Sequence, residues 1–206
     1  MGIGRSVMGH ATQSETRARI LEACAAAFAG SGVQGASTRE VARRAGVSQA
    51  ALMRHFPRKE DLLLGVLELR DRRCTSFLES AEALDAAARP LQALRGMLAV
   101  LADNERQPGL VELHCVLSAE AAQTGHPAHA FYAERYRGLH QFYATVFRAL
   151  AERHELSSSL PLGTLATMTV SLVNGVQQQW LFDREAVEVE RTIRTFLMSV
   201  VPALAE

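Results

Sequence analysis

The chain has 206 residues, 48% of them apolar, which suffices for one sizeable core or two small ones and excludes a disordered chain. Lys and Arg number 22, as do Asp and Glu, so net charge alone singles out no partner. The distribution is more telling: residues 1–60 hold nine Lys or Arg against four Asp or Glu, a surplus of five, and residues 61–206 hold 13 against 18, a deficit of five. That is a basic head on an acidic body, the pattern of a head that meets phosphate.

The opening MGIGRSVMGHATQ has no apolar run of the signal-peptide kind, and residues 1–13 are expected to form a disordered arm. Met1, Gly2 and Ser6 satisfy the N-myristoylation pattern, which is loose enough to arise by chance. A first helix is expected from Glu15 to Gly30, with Ile20, Leu21, Cys24, Ala27 and Phe28 on its apolar stripe and Thr12 or Ser14 at its start. Arg17 and Arg19 either reach phosphate or stay solvated. Ser31, Gly32 and Gly35 mark the turn that follows.

The stretch STREVARRAGVSQAALMRHFPRK, Ser37 to Lys59, carries the densest local signals. Ser37 caps a helix and Glu40, three residues on, completes capping-box spacing. Val41, Ala42 and Ala45 share a face. Gly46 ends that helix, because glycine takes the left-handed conformation without steric cost, and Val47 follows as a buried staple. Ser48 caps a second helix whose inner face is Leu52 and Phe56, and Pro57 stops it. Two short helices around a tight turn make a helix-turn-helix, whose second helix can lie in a DNA major groove. At 100° per residue, Ala50 and Arg54 point away from the core, Gln49 and Met53 lie on one shoulder, and Ala51 and His55 on the other. Gln can pair with adenine and Arg with guanine, and Ala allows close approach to a thymine methyl.

Arg19-Ile20-Leu21, Phe28, Gly32, Ser37, Val41-Ala42, Ala45-Gly46-Val47-Ser48, Leu52, His55-Phe56, Lys59-Glu60 and Leu62-Leu63 together resemble the N-terminal domain of TetR-family transcriptional regulators. The resemblance covers about residues 15 to 65; beyond it the chain resembles the family only in length and helical character. It implies an all-α protein with a three-helix head at 14–60 and a ligand-binding and dimerisation body at 61–206. It also implies a phosphate contact at Lys59. Where the family usually has a Tyr that touches phosphate, this chain has Met53, which has no donor for that bond. The candidates for DNA contact are Thr38, Arg39, Ser48, Gln49, Ala50, Ala51, Met53, Arg54, His55 and Lys59.

A long helix should begin after Pro57 and reach about Ala83, bridging head and body without a Gly/Ser-rich linker. Pro90, Pro108 and Pro127 each stand where a helix should open, the three running to about Ala102, Gln123 and His154. Leu156 to Phe182 contains no charged residue. Its loop-like start, Asn174 and the run Gln177-Gln178-Gln179 argue against a membrane span and for a buried or interface helix. A last apolar helix is expected over Ala186–Leu204. These two helices are the expected homodimer seam.

Thr167, Ser171, Asn174 and Gln178, spaced 4, 3 and 4, line one helical face. That stripe crosses the dimer seam, faces water at one end, or forms the polar end of a ligand cavity. With His114 and Tyr143 they are the candidate ligand contacts. His140, Phe142, Phe147 and Trp180 are read as core. Cys24, Cys74 and Cys115 have no zinc-ligand spacing and read as free thiols in a reducing cytosol.

No catalytic motif, metal site or cofactor is expected. Three functions remain: a cytoplasmic, ligand-responsive DNA-binding regulator acting as a repressor on a palindromic operator; a DNA-binding module without a ligand; and an all-helical enzyme. The partners expected are double-stranded DNA, a small effector and a second copy of the chain, with no membrane.

Overall fold

A computed structural model describes residues 13–27, 37–80 and 85–205, which form helices joined by turns and, among the described residues, contain no strand. In chain order the helices are α1 (13–27), α2 (Thr38–Arg44), α3 (Gln49–His55), α4 (Lys59–Ser80), α5 (Pro90–Glu105), α6 (Pro108–Ala121), α7 (His129–Glu152), α8 (Leu162–Phe182) and α9 (Val189–Val200), with a 3-10 turn at Pro202–Ala205. No described helix is long and apolar enough to cross a membrane. The expected arm lies outside the described residues except for Gln13, which is already helical. Phe28 and the turn at Ser31, Gly32 and Gly35 also lie outside them.

The chain divides into two compact units, Met1–Arg70 and Asp71–Glu206, so the division falls within α4. In the first unit, Ile20, Leu21, Cys24 and Ala27 of α1 are buried, as are Val41, Ala42, Leu52, Phe56, Leu62, Leu63, Val66 and Leu67. Gly65 lets α1 and α4 approach closely: a Cβ there would come within 2.7 Å of Leu21 Cδ2 and 3.2 Å of Phe56 Cε1. Burial pushes the Cys24 thiol up to about 12, against the opposing charge of Lys59, so it is a neutral core side chain.

In the second unit, α8 packs on α6, α7 and α9, and α5 packs on α6, α7 and α9. Leu94, Leu98, Tyr143, Phe147, Leu150, Leu165, Trp180, Ile193 and Leu197 belong to one core. The Val189 N–H donates to Glu105 Oε1 at 2.6 Å, fastening the start of α9 to the end of α5. An ion pair joins Arg135 of α7 to Asp71 of α4.

Several element boundaries differ from the sequence expectation, three of them for a reason visible in the local bonding. Pro127 precedes α7 instead of opening it, because the chain first turns: Ala128 N–H bonds His126 Nδ1 at 3.1 Å and His129 N–H bonds the His126 carbonyl at 2.9 Å. The last helix starts at Val189, not Ala186, after an Asp183 side chain caps the backbone of Glu185 and Ala186. It ends at Val200, because Pro202 cannot donate the next helical bond.

Candidate nucleic-acid interface

The helix-turn-helix is built by local chemistry. Ser37 Oγ accepts from Glu40 N–H at 3.2 Å and Ser48 Oγ accepts from Ala51 N–H at 3.1 Å, so each short helix starts on a side-chain cap. Gly46 has φ +65°, Gly46 N–H bonds the Arg43 carbonyl at 3.2 Å and Val47 N–H bonds the Ala42 carbonyl at 3.0 Å, which together make a Schellman turn. Val47 is half-buried, less enclosed than the staple expected of it. Phe56 closes α3 with a non-helical backbone (φ −136°, ψ 85°) and keeps its ring in the core, and the Arg17 guanidinium lies 5.0 Å from the ring centroid. Arg17 is thus exposed, as one of its two sequence readings has it, and its guanidinium also stacks on the Phe56 ring.

The capping box is only half formed. The Glu40 carboxylate turns to Arg43, at 2.7 and 2.8 Å, and to Arg44, at 2.7 Å. Charge-assisted bonds to guanidinium outcompete a bond to the cap N–H. These two arginines hold the Glu40 carboxyl down at about 2. Asp61 pairs with Arg58 at 2.6 Å and also accepts from the Arg58 N–H at 3.2 Å, which caps α4; that pair lowers Asp61 and raises Arg58.

The sequence-marked DNA residues fall on two helix starts and one exposed face. Thr38 and Arg39 open α2, Gln49, Ala50, Met53 and Arg54 are exposed along α3, Ala51 and His55 are half-buried at its edges, and Lys59 is exposed at the start of α4. Among the described residues, no ion pair engages Arg39, Arg54 or Lys59, whereas Arg43, Arg44 and Arg58 are held by carboxylates. The three unpaired cations are thus available to an anionic partner. Met53 is 41% exposed and offers that partner no donor.

In the second unit the candidate ligand residues separate. His114 is buried, with Nε2 3.3 Å from Asn174 Oδ1 and Nδ1 3.4 Å from the Tyr132 hydroxyl. Tyr132 lies 3.2 Å from the His114 carbonyl as well, and the set links α6, α7 and α8. Tyr132 was not marked by the sequence; its place in a run of aromatics hid the hydroxyl's role. Tyr143 is buried beside Phe142 and Phe147, and burial raises its phenol well above the usual range. His140 is half-buried on α7.

Thr167, Ser171 and Gln178 are exposed, and Asn174 lies at the edge between the outer and inner faces of α8. The buried polar residues of this helix are Thr169, which donates to the Leu165 carbonyl at 2.8 Å, and Gln177. The 4-3-4 spacing marks a face but carries no sign of which side holds the core. An open groove of about 360 Å³ runs along Ala186, Glu188, Arg191, Thr192 and Thr195, none of them marked by the sequence.

A capped helix-turn-helix with an uncommitted basic face, joined to a helical body, is the architecture of a DNA-binding protein. Residues 20–66 match the family model for bacterial regulatory proteins of the tetR family. The chain is 25% identical over 190 residues to the HTH-type transcriptional regulator AcrR of Shigella flexneri, covering 89% of this chain and 86% of that one. A TetR-family regulator structure from Rhodococcus is 26% identical with a TM-score of 0.64, covering 91% of this chain and 99% of that one. A regulator from Saccharomonospora viridis, solved in complex with choline, is 24% identical with a TM-score of 0.67, covering 91% and 98%. Residues 20–66 thus match the DNA-binding head of the TetR family, and over most of its length the chain is similar to TetR-family regulators.

Proposed function

We propose that the protein is a cytoplasmic repressor that holds a palindromic operator as a homodimer and releases it when a small, mostly apolar effector binds the second unit. The observation that carries DNA recognition is the exposed α3 face, with Gln49, Ala50 and Arg54 outward and Arg39, Arg54 and Lys59 free of carboxylate partners among the described residues. Arg54 and Gln49 read bases, with Ala50, Ala51, Met53 and His55 packed along the groove. Thr38, Arg39, Ser48 and Lys59 meet the backbone.

The dimer reading is supported by α8. Its outward residues include Thr164, Thr167, Met168, Ser171, Gln178, Gln179 and Phe182, none of them charged, and Phe182 is 86% exposed. We assign Thr167, Ser171 and Gln178 to that seam. A second copy covers such a face by an isologous contact. Two copies would present two reading helices to successive grooves.

The effector reading rests on His114, Tyr132 and Asn174, a polar group held inside a mostly apolar body with Tyr143 in the neighbouring core. Few polar groups in apolar surroundings suit a guest of the same character. The choline complex of the Saccharomonospora viridis regulator gives one instance of this fold holding a small molecule. An effector that binds the DNA-incompetent state better shifts the population and empties the operator.

The test is operator binding by wild type and Asn174→Leu across a panel of apolar metabolites. The expected result is an effector that releases wild type but needs a higher concentration for the variant, with operator affinity unchanged. Equal release of both proteins places the effector elsewhere. No release by any compound, together with no thermal shift, leaves the ligand-free DNA-binding module as the better reading.

A further inference from the structure

We infer that Thr38 sets the orientation of the Gln49 amide and so makes adenine, rather than guanine, the base that Gln49 reads. The inference rests on the assignment of Gln49 to base contact. Thr38 is the first residue of α2 and Gln49 the first of α3, and the two side chains meet across the turn: Gln49 Nε2 donates to Thr38 Oγ1 at 3.4 Å. The frame around the pair is fixed by the backbone, since the Ser37 and Ser48 caps and the Gly46 turn determine where each helix begins.

A carboxamide has two unlike ends, an accepting oxygen and a donating NH₂. Adenine shows the major groove a donor at N6 and an acceptor at N7, whereas guanine shows acceptors at both O6 and N7. With one Nε2 hydrogen on Thr38, the amide retains Oε1 for the adenine N6 donor and its second Nε2 hydrogen for N7. The same amide set against guanine brings Oε1 against O6, two acceptors facing each other. The opposite rotamer of the amide would present both hydrogens and suit guanine.

The hydroxyl excludes that rotamer on the operator. A hydroxyl both donates and accepts, but a phosphate oxygen only accepts. When the Thr38 proton goes to a phosphate at the start of α2, only lone pairs remain on Oγ1, and these hold Nε2 and reject Oε1. Thr38 is thus a positioning residue that couples the backbone contact to the base contact. A long, exposed bond adds little stability of its own. Its effect is on which base is chosen.

The experiment is selection from a random duplex pool, followed by affinity measurements on single-base variants of the enriched site. The proteins are wild type, Gln49→Ala, Thr38→Val, Thr38→Ala, Thr38→Ser and the double variant Thr38→Val with Gln49→Ala. Gln49→Ala should flatten one position per half-site. Thr38→Val and Thr38→Ala, which remove the acceptor with and without a branched side chain, should lower the adenine-over-guanine preference there by about tenfold, on the scale of one good base contact. Thr38→Ser should keep it, and the double variant should be no flatter than Gln49→Ala. If the Thr38 variants weaken all sequences equally and the adenine preference persists, Thr38 only touches phosphate and the inference fails. If Gln49→Ala changes no position, the assignment of Gln49 itself is what fails.

Discussion

Arg54 and Lys59 are both exposed cations of the head, yet their positions assign them different work. Arg54 is on the face of α3 that can enter the groove, so Arg54→Ala should cost about 1–3 kcal/mol and relax one base pair per half-site. Lys59 starts the next helix, beyond the reading face, so Lys59→Ala should weaken all sequences alike and lower the salt slope by about 1. Fluorescence anisotropy at a series of salt concentrations separates the two, and a reversed pattern would exchange the assignments. Glu40 makes a third residue-scale prediction. Its carboxyl is lowered from an ordinary 4.5 to about 2 by Arg43 and Arg44, so the pairing is complete above about pH 4.5 and is lost as pH falls toward 2. A carboxyl titration followed by NMR should show this depressed midpoint in wild type, moving back toward 4.5 in the variant Arg43→Gln with Arg44→Gln. An unshifted wild-type midpoint contradicts the observed geometry.

At the scale of elements, two left-handed positions end helices with opposite chemistry. Gly46, φ +65°, ends α2 with no atom within 4 Å of where a Cβ would stand, so Gly46→Ala should cost about 1–2 kcal/mol from backbone strain alone. His154, φ 59°, ends α7 with the same turn: Glu155 N–H bonds the Leu150 carbonyl at 2.9 Å. A non-glycine residue bears the strain there, and His154→Gly should raise the melting temperature. A fall in the melting temperature of His154→Gly would show that side-chain contacts, not φ, govern that turn. The first turn was legible in the sequence because Ser37, Gly46 and Ser48 act on their own backbone within a few residues. The second was not, because histidine announces no such conformation. Pro127 misled for a related reason: proline tolerates a helix start, but it tolerates the residue before one equally well, and His126 decided the matter. On α8 the periodicity of Thr167, Ser171, Asn174 and Gln178 was real, but only packing against α6, α7 and α9 showed that Thr167, Ser171 and Gln178 lie outward, that Asn174 turns to His114 and that Gln177 lies inward.

The whole molecule combines a head legible in its sequence with a body that is legible only as helices. The head's motifs are spaced by backbone rules and match a family model over residues 20–66. The body's polar set of His114, Tyr132 and Asn174 is assembled from three helices far apart in the chain, a juxtaposition that no local pattern announces. Sequence-specific binding of a palindrome, through one α3 from each of two copies, is the claim that gives the dimer and the effector response their meaning. It is tested most directly by passing the wild-type protein over a random duplex pool at low salt and sequencing what is retained. The account predicts an enriched palindrome with half-sites about one helical turn, ~34–36 Å, apart. A pool retained with no enriched sequence, or a single unrepeated half-site, would contradict it.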